Sequence, residues 1–281
     1  LDVLSGTAIG SSAGYKSLVE TQADVLSAIV VTPNVDEGVR IKDGGGADVY
    51  LRTTITVESL LTYTYSVGET YRNLPTKPVI SVNAVREGST FLVEGIDYRV
   101  SLDTGVYARS IYSIDRIFWI TSRTSGEILS IYYTYSSATR SIQDLLDQSD
   151  KHAVGIDILA KLAYYATVDI DLIVELLPGY TASVVRAAVV TALTSYINGL
   201  HLGDDVQQSD VIAEVENVIG VDSVVLPLTI FTVTREISGV TDSIDEIEGI
   251  STGATTGNLQ IRKYEYPIAG TISASSYIEE V

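Results

Sequence analysis

Residues 167–176, Thr-Val-Asp-Ile-Asp-Leu-Ile-Val-Glu-Leu, decide the fold of this chain. Valine, isoleucine and leucine occupy every second position, and two aspartates and a glutamate lie among the positions between them. Successive side chains of a β-strand point to opposite faces of a sheet, so this alternation predicts a half-buried strand. Asp169 and Asp171 would share its polar face. We predict a neighbouring strand at residues 156–163, joined to the first through residues 164–166.

Two helices and a returning strand are predicted next. Apolar residues repeat at helical spacing from residue 181 to 198, and Gly199 is suited to end that helix in the left-handed conformation. Ser209 is a cap candidate for a second amphipathic helix that Gly220 closes, and residues 221–228 have the composition of a strand. The order strand, strand, helix, helix, strand predicts a small α+β sheet with both helices packed on one face.

The sequence before residue 141 has a different composition and pattern. Residues 51–140 contain short runs of β-branched residues and tyrosine separated by turn signals, which is typical of a β-sandwich or barrel-like module. Ile142, Leu145 and Leu146 form one apolar stripe behind Ser141, which predicts a linking helix capped by that serine. The predicted fold class is therefore α+β: a tyrosine-rich all-β module followed by a small α+β domain with two helices packed on a sheet.

The chain divides by composition into four predicted segments. They are an N-terminal segment, 1–50, with a helix around 17–30; an all-β domain, 51–140; an α+β domain, 141–228; and a β-leaning C-terminal extension or arm, 229–281, with a strand near 259–266. Because the chain opens at Leu1 rather than methionine, we expect the first segment to be truncated. The two end segments offer no long periodic face, so we expect them to contact other chains and to be trimmed by proteases, leaving 141–228.

The charge and cysteine content exclude several classes of function. The net charge is −18, so the field of the molecule repels phosphate backbones and anionic lipids, and we expect neither nucleic acid nor a membrane as partner. The absence of cysteine excludes disulfides, thiolate zinc sites, iron–sulfur clusters and cysteine nucleophiles. No signal peptide is visible, and polar residues interrupt the longest uncharged run, 187–203, so the sequence predicts a soluble protein.

Two acidic segments have some features of cation sites. Residues 43–48 contain the aspartate and glycine of a calcium loop, but Gly45, Ala47 and Thr54 stand where an EF-hand places two oxygen ligands and a glutamate. The acidic run 242–248 could hold a hard cation, although such runs are more often solvated loops. The sequence therefore predicts no metal site and no cofactor.

Catalytic chemistry has little support in the sequence. His152 and His201 are the only histidines, and neither lies in a recognisable catalytic motif. Asp169 and Asp171 could act as paired carboxylates in acid–base chemistry, but solvent-facing positions on a half-buried strand account for them more simply. No glycine-rich phosphate loop is present. We therefore predict that the protein is not an enzyme, with no catalytic or cofactor-binding residues.

Tyrosine is abundant, with 18 residues against 3 phenylalanines and 1 tryptophan. An aromatic ring with a polar tip suits a sugar-binding or adhesive surface. The same ring also fills half-exposed strand positions and contacts between subunits, where aromatic residues are enriched. The second interpretation is favoured.

A longer run carries a resemblance to a known family. Its parts are Lys151-His152-Ala153-Val154-Gly155-Ile156-Asp157-Ile158-Leu159-Ala160-Lys161, the strand from Val168 to Leu172, Pro178-Gly179-Tyr180, Tyr196-Ile197-Asn198-Gly199-Leu200, Gly203, Gln208-Ser209-Asp210-Val211-Ile212, and Gly220-Val221-Asp222-Ser223-Val224 before Leu226-Pro227-Leu228. In order and spacing, this run resembles the baseplate J-like proteins. The resemblance covers 151–228, and residues 132–147 fit the same family more loosely.

The resemblance implies a structural role, because members of this family are wedge components of contractile phage tails and related injection machines. Such proteins pair within a wedge, and the wedges join into a sixfold ring around the tail hub that opens on host contact. The expectation is a virion structural protein of the tail baseplate, assembled in the host cytoplasm, whose partners are copies of itself and other wedge and hub proteins. The alternative is a tail-fibre or surface adhesin module that binds glycans, and a third candidate is a secreted polysaccharide-active enzyme that uses acidic pairs.

Overall fold

The chain is an α+β protein, as the sequence predicts, and its strands outnumber its helices. The computed structural model describes residues 11–32, 46–54, 56–103, 105–151, 157–237, 240–243 and 257–278. Its elements in chain order are α1 (Ser12–Glu20), β1 (Val25–Val31), β2 (Gly46–Thr53), β3 (Val57–Thr64), β4 (Tyr71–Asn73), β5 (Val79–Glu87), β6 (Thr90–Phe91), β7 (Tyr98–Ser101), β8 (Arg116–Trp119), β9 (Ile128–Tyr135), α2 (Ser137–Leu146), β10 (Asp157–Leu162), β11 (Tyr164–Leu176), α3 (Ala182–Gly199), α4 (Gln208–Glu216), β12 (Val221–Ile237), β13 (Val240–Ser243) and β14 (Glu265–Ile278). These elements belong to two compact units, Leu1–Ala163 and Tyr164–Val281.

The first unit contains a three-stranded sheet in the order β1-β2-β10, with α1 and α2 packed on it. Strand β10 runs parallel to β2, so the expectation that residues 156–163 neighbour the strand at 167–176 is wrong. Two polar contacts fix β10 there. The Lys161 ammonium lies 2.7 Å from the Asp48 carboxylate of β2, and the Gln143 side chain of α2 accepts a hydrogen bond from the Ala160 amide at 2.8 Å. Sequence alternation does not reveal such a partner, because it lies more than 100 residues away.

Two predicted helices are displaced. The first was expected around 17–30, but α1 begins at Ser12, where the Ser11 hydroxyl accepts a hydrogen bond from the Gly14 amide at 3.1 Å. The β-branched residues of the predicted helix form β1, which pairs with β2. Strand propensity together with pairing therefore overrides the helical spacing. Helix α2 begins five residues earlier than expected, after Ser136 rather than Ser141.

Residues 57–135 fold into two antiparallel sheets, β3-β9-β5-β6 and β4-β8-β7. Apolar side chains of both sheets form one core, which includes Tyr63, Tyr98, Ile117, Ile131 and Tyr133. Burial raises the pKa of Tyr63 and of Tyr98 above the ordinary tyrosine value. Several tyrosines of this segment are therefore core residues, and only the outward-facing ones can form a surface.

The second unit is built on the sheet β13-β12-β11-β14. The alternation at 167–176 is confirmed, because every second side chain of β11 from Val168 to Leu176 is buried. Helices α3 and α4 pack against this sheet, and Val185, Val189, Leu193 and Ile197 form the buried stripe of α3. In this unit the predicted order of strand, two helices and strand agrees with the structure.

Three details of the second unit differ from expectation. Gly199 is not a left-handed stop, since α3 includes it and ends at Leu200 in extended conformation. Strand β12 continues from Val221 to Ile237, so residue 228 lies inside a strand. The last strand is Glu265–Ile278 rather than 259–266, and it pairs in parallel with β11. Residues 229–237 and 265–278 therefore extend the preceding sheet within the same chain.

Candidate functional site

Arginines stacked on aromatic rings are a feature of residues 57–135. Five arginines of this segment have the guanidinium carbon within 6 Å of a ring centroid, a geometry that stabilises by cation–π attraction. The pairs are Arg72 over Tyr63 at 3.9 Å, Arg86 over Phe91 at 3.9 Å, Arg99 over Phe118 at 5.7 Å, Arg116 over Tyr71 at 4.8 Å and Arg123 over Trp119 at 5.4 Å. The abundance of aromatic rings in this segment is therefore linked to its arginines.

Two of these stacks lie side by side on the outer surface of the sheet β4-β8-β7. Phe118 of β8 pairs with Tyr71 on one side and with Arg99 on the other, and Arg116 lies two residues away on the same face. The Tyr71 and Phe118 ring centroids are 5.9 Å apart. We call these four outward residues, Tyr71, Arg99, Arg116 and Phe118, the arginine face. Their paired neighbours on the same face are Asn73 and Ser101, and neither is acidic. Asp103 lies two residues beyond Ser101, and its carboxylate accepts hydrogen bonds from the Gly105 and Ile114 amides.

Neither guanidinium of the arginine face has a hydrogen-bond or ion-pair partner among the described residues. The Arg116 Nε atom is buried despite this. A buried donor without a partner costs roughly 1–3 kcal/mol, and more when the group is charged. The terminal nitrogens of the Arg116 guanidinium are not buried in this way, so an incoming carboxylate would meet them and form a charge-assisted hydrogen bond. The arginine face is therefore suited to receive an anionic group.

Two grooves border the outward surfaces of these sheets. One has a volume of about 560 Å³ and is lined by Leu61, Gly68, Glu69, Thr70, Tyr71, Arg72, Asn73 and Pro75. The other has a volume of about 420 Å³ on the sheet β3-β9-β5 and is lined by Glu58, Ser59, Leu60, Asn83, Ala84, Arg86, Tyr132 and Tyr133. The first shares Tyr71 with the arginine face, so a ligand in that groove could also contact the face.

The predicted carboxylate pair lies on the second unit. Asp169 and Asp171 share the outward face of β11 with Glu175, and we call these three residues the carboxylate face. Asp169 accepts a hydrogen bond from the Thr271 amide at 2.6 Å, and Asp171 accepts one from the Ser273 hydroxyl at 2.5 Å. Both bonds attach β14 to β11, so each carboxylate has a structural role.

Glu175 also accepts hydrogen bonds, but from both neighbouring strands. It accepts hydrogen bonds from the Ser223 hydroxyl of β12 at 2.5 Å and from the Tyr277 hydroxyl of β14. These hydrogen bonds lower the pKa of Glu175 below the ordinary glutamate value. Glu175 therefore remains ionised at neutral pH and links three strands of the sheet.

Two pairs of oppositely charged side chains are buried inside the sheets. Lys161 and Asp48 are 1% and 3% exposed, so the only described aspartate of the candidate calcium loop at 43–48 lies within a sheet and contacts a lysine. Arg235 and Glu265 pair at 3.1 Å between β12 and β14 with exposures of 0% and 1%. Each pair joins two strands of one sheet, and its role is structural.

The other residues considered as catalytic or metal-binding candidates form no common site among the described residues. His201 is exposed, and its ring contacts Asp204 at 3.3 Å. His152, residues 43–45 and residues 244–248 lie outside the described residues. Within the described ranges no group of three or more His, Asp or Glu is arranged to hold a metal ion. Of the helices in that part of the chain, none is both long enough and apolar enough to cross a membrane.

The arginine face was missed by reasoning from sequence, although a signal for it exists. Residues 57–135 contain seven lysines and arginines against eight aspartates and glutamates, so nearly all of the net charge of −18 comes from the rest of the chain. Arginine is also interleaved with aromatic residues along the strands of this segment. The local charge balance together with this interleaving would have predicted arginine–aromatic stacking, but not which stacks face outward.

Comparison of the chain with models of known protein families finds no match, and comparison with curated protein sequences finds no significant one.

Proposed function

We propose that this protein is a non-enzymatic structural protein of a virion, a wedge subunit of a contractile-tail baseplate in the baseplate J-like family. It joins further copies of itself and other wedge and hub proteins in the ring around the tail hub, and it transmits the conformational switch of that ring. In this proposal residues 57–135 are the tyrosine-rich all-β module. The α+β unit, with two helices packed on one sheet, is a rigid block within the ring.

The observation that carries the proposal is where the residues of the resemblance lie in the fold. Gly179, Gly203 and Gly220 belong to that run, and their φ angles are +91°, +75° and +98°. They stand in the turns that connect β11 to α3, α3 to α4 and α4 to β12. At Gly220 a Cβ atom would also lie 2.7 Å from Tyr180 Cδ1, so only glycine fits there. The resemblance thus rests on residues that determine how these elements connect, which supports a shared fold.

Imaging of the particle that contains this chain tests the proposal. A tagged copy would be produced in the cells that make the particle, and purified particles would be labelled against the tag and examined by electron microscopy. The expected result is label at the end of the tail, in a sixfold ring. Label on peripheral fibres, or on a cell surface in the absence of any particle, would contradict the wedge assignment.

A second candidate function, glycan binding by an adhesin, has one specific observation in its favour. The groove of about 560 Å³ combines an exposed aromatic ring, Tyr71, with the polar side chains of Glu69, Arg72 and Asn73. Such a combination is suited to a sugar, which stacks on a ring and bonds to polar groups around it. Binding of the purified protein to a glycan array, lost in Tyr71→Ala and retained in Tyr112→Ala, would favour this function. Tyr112 is a fair control because it is exposed outside the groove.

A further inference from the structure

The arginine face and the carboxylate face have opposite charge. The arginine face presents Arg99 and Arg116, and none of the residues paired with its strands on that face is acidic. The carboxylate face presents Asp169, Asp171 and Glu175, and the residues paired with them on β12 and β14 include no lysine or arginine. Complementary surfaces of this kind favour association and set its orientation.

The spacing of the charges also agrees. Arg99 and Arg116 are diagonal neighbours on adjacent antiparallel strands, where such positions are about 7–8 Å apart. Asp169 and Asp171 are two residues apart on one strand, a distance of about 7 Å. Two guanidiniums on one face can therefore meet two carboxylates on the other at the same time.

Apolar and aromatic side chains accompany the charges on both faces. Ile230 of β12 pairs with Asp171 and is 44% exposed, and Tyr277 of β14 pairs with Glu175 and is 45% exposed. On the arginine face the Tyr71 ring is 42% exposed beside Arg116. Tyrosine and arginine are among the residue types that are enriched at the centre of a protein interface.

We propose that the arginine face of one molecule docks on the carboxylate face of a second copy of this chain. Arg99 and Arg116 donate hydrogen bonds to Asp169 and Asp171 of the other copy, and Ile230 of that copy packs beside the rings of Tyr71 and Phe118. A carboxylate-bearing protein surface fits this face, since neither of its two guanidiniums has an ion-pair partner among the described residues. This inference depends on the two faces and is independent of the proposed place of the chain in a virion.

The contact is head-to-tail, because it joins two different faces. Each pair of molecules leaves one arginine face and one carboxylate face unused, so association continues into a closed ring or an open chain. Two faces of three strands each make a small interface, so we expect association to rise with protein concentration. Because charge pairs hold the interface, we also expect added salt to weaken it.

Charge changes at two positions whose side chains make no structural hydrogen bond test this contact. Arg99→Glu reverses the arginine face, and Ile230→Lys places a cation beside Asp171 without removing the bond between Asp171 and Ser273. Sedimentation velocity over a range of concentrations, at low and at high salt, would measure association of the full chain. Circular dichroism of each variant would establish that it is folded. We expect the wild type to associate at low salt and both single variants to remain monomeric.

Two combinations of these variants separate loss of the contact from loss of folding. An equimolar mixture of Arg99→Glu and Ile230→Lys retains one intact arginine face and one intact carboxylate face, so it should associate although each variant alone does not. A double variant that combines Arg99→Glu with Ile230→Lys in one chain places the new carboxylate of one copy opposite the new ammonium of the next, and it should associate again. Thr64→Glu, which adds an exposed negative charge on β3 and off the arginine face, should associate like the wild type.

Several results would overturn the proposal. A wild-type protein that stays monomeric at every concentration and salt, or an Arg99→Glu variant that associates as the wild type does, would exclude the contact. Titration with polyglutamate and with polygalacturonate provides a further arm. If a monomeric wild type binds either polymer through Arg99, the face belongs to a different acidic partner. If the chain assembles as proposed but does not label a tail baseplate, only the proposed function fails.

Discussion

Leu193 illustrates how a single side chain holds the second unit together. It lies on α3 between Val189 and Ile197, and all three are fully buried against the sheet. The helical spacing across 181–198 predicts this stripe, because positions four apart share one face of a helix. The spacing does not show that Val184 lies outside the stripe, with an exposure of 66%.

Leu193→Ala should lower the free energy of unfolding by about 2–5 kcal/mol, because it removes a buried side chain and leaves a cavity. Urea denaturation followed by circular dichroism would measure the loss. Val184→Ala on the same helix removes a similar apolar group from an exposed position, and a change within about 0.5 kcal/mol is expected there. Equal losses in the two variants would mean that Leu193 is not the core residue described here.

The arginines of residues 57–135 show which contacts cannot be predicted from individual residues. Arg99 and Phe118 are 19 positions apart in sequence and become neighbours only through the pairing of β7 with β8. Sequence indicates that aromatic rings and arginines share these strands. The register that decides which ring meets which arginine depends on long-range pairing, and that information is not local.

At the scale of elements, local sequence signals predict an element when its apolar pattern repeats over many residues. They fail when pairing with a distant strand decides where the element lies. Strand β11 alternates from Ala166 to Leu176, and the sequence predicts this strand from residue 167, whereas residues 164–166, expected to join two strands, are the start of β11. Strand β14 has small and polar residues at many positions, so its alternation is weak, and it was predicted too early in the chain. Its place is fixed by β11, whose Asp169 and Asp171 bond to it.

Glu175 makes the sheet β12-β11-β14 sensitive to pH. Its pKa is lowered in the folded protein, so its contribution to stability is fully present above the ordinary glutamate pKa of about 4.3 and is lost as the pH falls through the lower folded value. Glu175→Gln abolishes this titration. We therefore expect the wild type to lose more unfolding free energy than the variant between about pH 6 and about pH 3.

Urea denaturation at both pH values would measure the difference for Glu175→Gln. The matched control is Glu216→Gln, which makes the same chemical change at the exposed end of α4, away from the sheet. The control should keep the pH dependence of the wild type. If Glu175→Gln also kept it, the hydrogen bonds from Ser223 and Tyr277 would not stabilise the ionised form.

At the scale of the whole molecule, the apolar cores follow the division into two units. The core of the second unit draws all of its buried residues from positions 166–261, whereas the two cores of the first unit lie within positions 15–160. The charge is also uneven, since residues 57–135 are close to neutral in a chain of net charge −18. Composition reveals the charge difference, but the unit boundary after Ala163 lies between two adjacent strands, where no glycine or proline marks it.

Because its core is self-contained, a fragment of residues 164–281 should fold alone. It retains β11, β12, β14, α3 and α4 together with the buried Arg235–Glu265 pair. A fragment of residues 141–228 should not fold alone, and it is the control for the first fragment. It loses β14, interrupts β12 and removes Phe231, Val233, Leu259 and Ile261 from the core, so many apolar groups of the sheet would face water. Urea denaturation should give a single cooperative transition for 164–281 and none for 141–228. Cooperative unfolding of 141–228 alone would show that the sheet does not need β14, and the structural roles given to Asp169 and Asp171 would then be wrong.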